Sequence, residues 1–379
     1  MENMLTTPKI ATAAFIGNVR LQDAHTGHIF DETVQAFVSA HDIRCCNFEG
    51  AVDHANPVVS KKAGASFLQG KTAAARVLNS GINLVSLANN HLMDYGETGL
   101  FETIRALSAV TTLGAAETPP LAYRPFVTMI NGIKLGFLAL CERQNGALDG
   151  TRTSGVAWIC HPAVLHNIRL LRSECTHVII LSHAGLEEAD QPLPEWRSLY
   201  RQFVDAGASL IVGSHPRMPQ GWEWYKNGLI LYSLGNAAWA PKADASDQSA
   251  LLASVTFPSS GAVKLSMRPI TYRNEQIAFD ESEKTQAQLN ERNRVLADDE
   301  AYASQSKRIC KAFYEQVAQP DFFAITGCLP GDAWQQSKNA VKFLIRKHAL
   351  NESLLLSILE NETYRWATAA ALRERIGNE

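Results

Sequence analysis

Residues 87 to 96 read LANNHLMDYG and set two amides, an imidazole and a carboxylate, Asn89, Asn90, His91 and Asp94, together just after an apolar run. Two more apolar runs end in the same way, VIILS at His183 and LIVGS at His215, while CCNFEG leads to Glu49 and AAFIGN to Asn18. Imidazole, amide and carboxylate form a mixed nitrogen and oxygen ligand set that suits zinc, manganese or iron, whereas calcium wants more oxygens. Taken singly, each histidine could as well cap a helix or bond a nearby loop. The recurrence at three strand ends is what points to one site. Asp94, three residues past His91, could orient the imidazole or serve as a helix N-cap or turn residue.

Side chains this far apart in sequence can meet if the runs are strands of a layered α/β structure, where ligands bind outside one end of the strands. ATAAFIG, IRCCNF, INLVSLA, THVIILSH and ASLIVGSH read as buried strands, with helical spacing between them at Thr72 to Asn79 and Thr98 to Ser108. In PEWRSLYRQFVDAG, Pro194 suits a first helical turn, Leu199, Phe203 and Val204 share a face, and Gly207 stands where the helix should stop. Asn131-Gly132 and Asn227-Gly228 lie between apolar runs and signal hairpins, so part of the sheet must be antiparallel. Trp222 and Trp224, two apart on one run, share a face, and core packing suits both better than lining a groove. From residue 281 to 379 the composition shifts to Gln, Glu, Lys, Arg and Ala with helical spacing of apolar residues, broken near QPDFFAITGCLPGD. The apolar face at FLIRKHALNESLLLSIL could pack on the sheet or join subunits into a homo-oligomer.

Composition narrows the function classes. A formal charge of −3 over 379 residues provides no long-range field for nucleic acid or an anionic membrane. A local basic pocket could still meet an anionic substrate, and a lysine at Lys61 or Lys62 could contribute to one, although such a pair is more often a solvated loop. The apolar part of MENMLTTPKIATAAFIGNV falls far short of the roughly 20 residues a membrane helix needs, so no signal peptide, anchor or integral membrane segment is expected. Seven cysteines without a CxxC pair make no disulfide framework, and a reducing cytoplasm is the expected compartment, with peripheral association at the envelope left open. P-loop and GxSxG patterns do not occur, so nucleotide cradling and a serine nucleophile have no foothold.

SLANNHLMDYGETGL, with NFEG upstream and SHAG, PLPEWR, FVDAGASLIVGSHPRMPQG and GLILYSLGN downstream, resembles the CapA-type poly-gamma-glutamate capsule synthesis family, a branch of the calcineurin-like metallophosphatase superfamily. The similarity runs over roughly residues 11 to 240. It implies an α/β fold, a metallophosphatase-type four-layer α/β/β/α sandwich over residues 1 to 275, with the helical C-terminal region of 281 to 379 outside the resemblance. It also implies a metal centre at the strand ends. There Glu49 is similar to a bridging carboxylate, Asn90 to a ligand amide, His183 and His215 to imidazole ligands, and His91 to the proton donor.

Two departures from the family pattern fall on the same metal. Glycine-Asp-valine is here GNV, so Asn18 is a neutral group at an anionic ligand position, and His-Pro-His is here HPR, so Arg217 replaces an imidazole. The expectation is one retained divalent transition ion (Mn, Zn or Fe) held by Glu49, Asn90, His183 and His215. The Arg217 guanidinium then lies near the lost second position, where it could bind a phosphoryl or carboxyl oxygen. The implied function is capsule or poly-gamma-glutamate synthesis, through metal-dependent hydrolysis of a phosphoester or gamma-glutamyl amide in an anionic small molecule or polymer, with His91 protonating the leaving group. The alternative is a catalytically degenerate module that binds an anionic ligand or a partner.

Overall fold

A computed structural model describes residues 9–22, 27–239, 249–326 and 352–377. The apolar runs form two sheets. In the first, Ile10–Arg20 (β1), Ile43–Phe48 (β2), Leu84–Ser86 (β3) and Thr111–Leu113 (β4) are parallel neighbours. On the other side of β1 the sheet turns antiparallel through Ser249–Pro258 (β12), Lys264–Arg273 (β13) and Gln276–Phe279 (β14). The short strand Asn236–Trp239 (β11) pairs with the end of β1, opposing Asn18 with Asn236.

The second sheet contains Phe126–Ile130 (β5), Ile133–Cys141 (β6), His177–His183 (β7), Leu210–Ser214 (β8), Trp222–Tyr225 (β9) and Gly228–Leu231 (β10). Its order is β9-β10-β8-β7-β6-β5, parallel in the middle and antiparallel at both edges. Both edges are the expected hairpins. Asn131 and Gly132, at φ 51° and 80°, make the first turn. In the second, Tyr225 pairs with Gly228, so the turn is Lys226-Asn227 and Gly228 opens the strand, one residue off the expected position.

Alternation within the second sheet divides its side chains between two cores. Leu135, Phe137, Ile179, Leu181, Leu210 and Val212 belong to one hydrophobic cluster with the first sheet, whose members there include Phe15, Ile16 and Val85. Leu138, Leu140, Val178, Ile180, Ile211 and Ile230 point the other way, against helices Ala163–Glu174 (α4) and Pro194–Ala206 (α5). The outer face of the first sheet is covered by Glu32–Ser39 (α1), Ala73–Asn79 (α2) and Gly96–Ala106 (α3), whose Val34, Val38, Val77 and Leu100 are buried in the same hydrophobic cluster as that sheet. The result is the four-layer α/β/β/α sandwich of a metallophosphatase-type fold.

Helix α5 follows its sequence closely. Pro194 occupies its first turn, Gly207 ends it at φ 120°, and Trp196, Tyr200, Phe203 and Val204 are buried, while Leu199 is half-buried. The tryptophan expectation is half corrected. Trp222 packs on the core, but Trp224, two residues further along the edge strand β9, is 49% exposed.

Beyond the sheets the chain is helical at Glu283–Ala297 (α6), Asp299–Phe313 (α7), a π-helical turn Tyr314–Ala318, Gln319–Thr326 (α8), Glu352–Glu360 (α9) and Glu362–Gly377 (α10). Ser282 and Asp298 cap α6 and α7 by accepting backbone N–H groups. Leu296, Tyr302, Phe313, Ala367 and Ala371 pack these helices onto the outer core of the second sheet. Much of the expected break after residue 326, and the apolar stretch up to residue 351, lie outside the described residues.

Candidate functional site

Parallel strands of both sheets release their chains at one end of the sandwich, and the polar residues there come from β1, β2, β3, β6, β7 and β8. Period-2 alternation decides which of them face inward. On β7, Leu181 faces the inter-sheet core, so Ser182 points to the helices, where its hydroxyl meets Tyr200 Oη, and His183 points back between the sheets. His215 follows β8 with φ at 102°, a conformation that costs energy for any residue with a Cβ and that clusters at functional sites.

Three candidate ligands converge. His183 Nε2 lies 3.0 Å from Asn90 Oδ1 and 3.0 Å from His215 Nδ1. Ligand atoms about 2.1 Å from an ion, at adjacent octahedral positions, stand about 3.0 Å apart, so these two contacts have the spacing of coordination edges. One proton on His183 Nε2, shared between the two acceptors, fills the same space. All three residues are buried. Burial and the neighbouring His215 and His91 hold His183 well below its ordinary pKa, keeping it neutral as a metal ligand must be. Burial also opposes charge on His215, but the Glu142 carboxylate outweighs it and raises that ring.

The outer atoms of these groups are tied down. His215 Nε2 donates to Glu142 Oε1 at 3.2 Å, and Asn90 Nδ2 donates to Gln144 Oε1 at 2.8 Å. Glu142 and Gln144 were not singled out from the sequence. GFLALCE, an apolar run ending in a polar residue exactly as the others do in kind, carried the signal for Glu142.

Glu49, expected beside these ligands, is buried and faces His91, with Oε1 4.0 Å from His91 Nε2. Its Oε2 has no hydrogen-bond partner among the described residues. Burial, reinforced by Glu187, pushes its carboxyl up to about 8 against the pull of His215, Arg217 and Arg20. Among the described residues no group of three or more His, Cys, Asp or Glu side chains stands close enough to hold an ion. The converging set is therefore two imidazoles and an amide, with Glu49 as the nearby unpaired acceptor.

The quoted NNH sequence divides its work. Asn89 is a brace: its Oδ1 accepts from Gly50 N at 3.1 Å and its Nδ2 donates to Phe48 O at 2.8 Å, tying this loop to NFEG. Asn90 turns into the cleft. His91 Nδ1 donates to Asp94 Oδ2 at 2.7 Å, and its ring stacks on Phe67 with centroids 3.9 Å apart. Asp94 is fully buried, accepts Phe67 N–H at 2.8 Å and pairs with Lys62, so Lys62 belongs to the cleft and not to a solvated loop. Burial drives His91 down to about 4 despite Asp94.

Asn18 lies at the end of β1 in a line of amides. It donates to Asn236 Oδ1 at 2.9 Å and accepts from Asn47 at 2.9 Å, and Asn47 Nδ2 also lies 3.1 Å from His183 Nδ1. Arg217 lies at the rim, its side chain 39% exposed, 2.8 Å from Glu187 and 3.6 Å from Glu188 on the loop after β7. Nearer the cleft is Arg20, two residues past Asn18, whose guanidinium lies 4.2 Å from the Phe67 ring centroid and whose buried Nε has no hydrogen-bond partner among the described residues. Beside Asn90 a cavity of about 340 Å³ opens, lined by Lys61, Lys62, Arg143 and Arg152 and walled by Leu356 and Glu360 of α9.

The fold and the strand-end cleft define a metallophosphatase-type α/β sandwich. The family profile described as Bacterial capsule synthesis protein PGA_cap matches residues 10–240, and the chain belongs to that family. It is 30% identical over 169 residues to the Capsule biosynthesis protein CapA of Bacillus anthracis, covering 42% of this chain and 41% of that one. It is 26% identical over 249 residues to the PGA biosynthesis protein CapA of Bacillus subtilis (strain 168), covering 61% of this chain and 65% of that one. The matches thus span less than two thirds of either relative. Among solved structures, a novel phosphatase of Mycoplasma pneumoniae has a TM-score of 0.45 at 15% identity, covering 70% of this chain and 94% of that one. The 5'-nucleotidase of Candida albicans SC5314 has a TM-score of 0.42 at 12% identity, covering 91% and 66%. Among the described residues no helix is long and apolar enough to cross a membrane.

Proposed function

We propose that this chain is a metal-dependent hydrolase of capsule synthesis that holds one divalent transition ion (Mn, Zn or Fe) through Asn90, His183 and His215, with Glu49 as the fourth group. The observation that carries this reading is the meeting of Asn90 Oδ1 and His215 Nδ1 on His183 Nε2, each at 3.0 Å. The unpaired, buried Glu49 Oε2 supports it, since a buried acceptor without a donor is costly unless a cation or substrate donor satisfies it. When bound, such an ion supplies Lewis-acid polarisation of the scissile bond and a lowered pKa for water.

The remaining work falls to side chains. Asp94 occupies His91 Nδ1, leaving Nε2 as the nitrogen turned toward Glu49 and the cleft. An anion beside a buried neutral imidazole favours the charged ring, so His91, whose own proton stays on Nδ1 toward Asp94, takes up a second proton from water on Nε2 as an anionic substrate binds and passes that proton to the leaving group. Lys62, Arg20 and the basic residues of the adjoining cavity bind and orient that anion. The bond broken is a phosphoester or a gamma-glutamyl amide.

One observation favours a second reading, that of a binding module without turnover. Asn18 and Arg217 leave the second metal position of the family pattern without its anionic and imidazole ligands, and Arg217 is engaged at the rim. A screen of phosphatase substrates and short gamma-glutamyl peptides with manganese, zinc or iron separates the two. Hydrolysis that requires metal supports the enzyme; anion binding without turnover under any of the three metals overturns it.

A further inference from the structure

The helices after residue 281 lie outside the family match, yet α10 reaches the cleft. Its first residue, Glu362, accepts Arg143 N–H at 2.9 Å and the Trp158 indole at 2.8 Å, seating the helix against the chain that leaves β6. The next residue, Thr363, is fully buried. Its hydroxyl accepts from Trp196 Nε1 at 2.9 Å and donates to Glu142 Oε2. Glu142, itself fully buried, takes His215 Nε2–H on its other oxygen at 3.2 Å.

The polarity of the first links of this chain follows from donor chemistry. An indole nitrogen can only donate, so Thr363 Oγ1 is the acceptor there and its own proton is free for Glu142. A carboxylate can only accept, so Glu142 draws hydrogen from Thr363 on one oxygen and from the Gln144 amide on the other, the oxygen that also lies 3.2 Å from His215 Nε2. A His215 proton on Nε2 faces that oxygen and leaves Nδ1 turned toward His183 and Asn90. A histidine ligand is commonly oriented in this way by a carboxylate on its far nitrogen, and the loss of such a partner typically costs 10–100-fold in metal affinity.

We propose that Thr363 is a positioning residue of the cleft: through Glu142 it fixes the tautomer and direction of His215, so that α10 completes a site whose other members all lie in the family region. This rests on the reading of His215 as a metal ligand. It makes the C-terminal helices part of the functional unit, in contrast to an appendage that only covers the second sheet.

The test compares full-length wild type, Thr363→Val, Thr363→Ser, Glu142→Gln and His215→Ala. Zinc affinity is measured by chelator competition. Imidazole ¹⁵N shifts of metal-free, histidine-labelled protein report the His215 tautomer, with His215→Ala assigning the signals. The expected result is zinc binding about 10–100-fold weaker in Thr363→Val, with altered His215 nitrogen shifts, and recovery to within a few fold of wild type in Thr363→Ser. Should Thr363→Val fail to fold, Glu142→Gln is expected to show the same loss. Zinc affinity and His215 shifts unchanged in Thr363→Val, or in Glu142→Gln, while His215→Ala loses zinc, would overturn the positioning role and leave the metal reading standing. A wild-type protein that binds no zinc, manganese or iron would overturn the metal reading and, with it, the positioning of His215 for an ion.

Discussion

The two sides of the cleft are built on opposite principles. On the imidazole side, Asn90, His183, His215 and Glu142 satisfy one another, and every outer nitrogen has a partner. On the carboxylate side, Glu49 Oε2 and Arg20 Nε are buried without hydrogen-bond partners among the described residues, and Arg217 pairs with Glu187. A fully paired side is rigid and holds something in fixed geometry, whereas an unpaired side stores desolvation cost that a ligand can relieve. On the proposed reading the ion belongs to the first side and the anionic substrate to the boundary between them, where His91 sits.

The strongest break of that comparison is removal of an imidazole. His183→Ala is expected to lower bound transition metal from about one ion per chain to near none, measured by elemental analysis after desalting. An unchanged metal content would take the ion away from the paired side. Next, His91→Ala should lower turnover by about 10²–10⁴-fold while metal content stays at the wild-type level, separating proton transfer from ion holding. Equal loss of both would merge the two sides into one.

A smaller effect tests the backbone beneath each side. A Cβ on Gly17 would stand 2.0 Å from Gly235 O, and one on Gly213 would stand 1.9 Å from Tyr232 O. Gly17→Ala and Gly213→Ala should each lower unfolding free energy by about 1–3 kcal/mol in denaturant titrations, because the close approach of both strand ends to the backbone that leaves β10 leaves no room. Wild-type stability in either would mean that the strand end beside it can shift.

The mildest expected effect concerns a carboxylate that contrasts with Glu49. Burial alone would raise Glu223, but hydrogen bonds from Arg201, Arg197 and Tyr232 outweigh it and bring the group down to about 2. A depressed pKa adds stability that is present above the unfolded value of about 4.5 and is lost as pH falls toward about 2. Glu223→Gln should therefore lower unfolding free energy by about 1–2 kcal/mol at pH 7, and the gap to wild type should close between about pH 4.5 and pH 2. A gap independent of pH would place the loss in packing and not in charge.

Much of this organisation was legible because it is written in local pattern. Alternation placed His183 at the end of a buried strand, Pro194 and Gly207 bounded their helix, and the Asn-Gly pairs located both edge hairpins. Glu142 was missed although its strand ends like the others, because a single buried glutamate has no spacing partner nearby. Lys62 and Trp224 were misjudged for a related reason: exposure depends on what a distant segment lays over a side chain.

The sequence alone determined the strands, their polar ends and the membership of the family, since periodicity of 2 and 3.6 and turn chemistry act over a few residues. Only the tertiary structure decided which polar ends share a hydrogen bond, that Arg217 faces the rim while Arg20 lines the cleft, and that Thr363 reaches Glu142 from 221 positions away. Those choices depend on distances between strands and helices that no local pattern encodes.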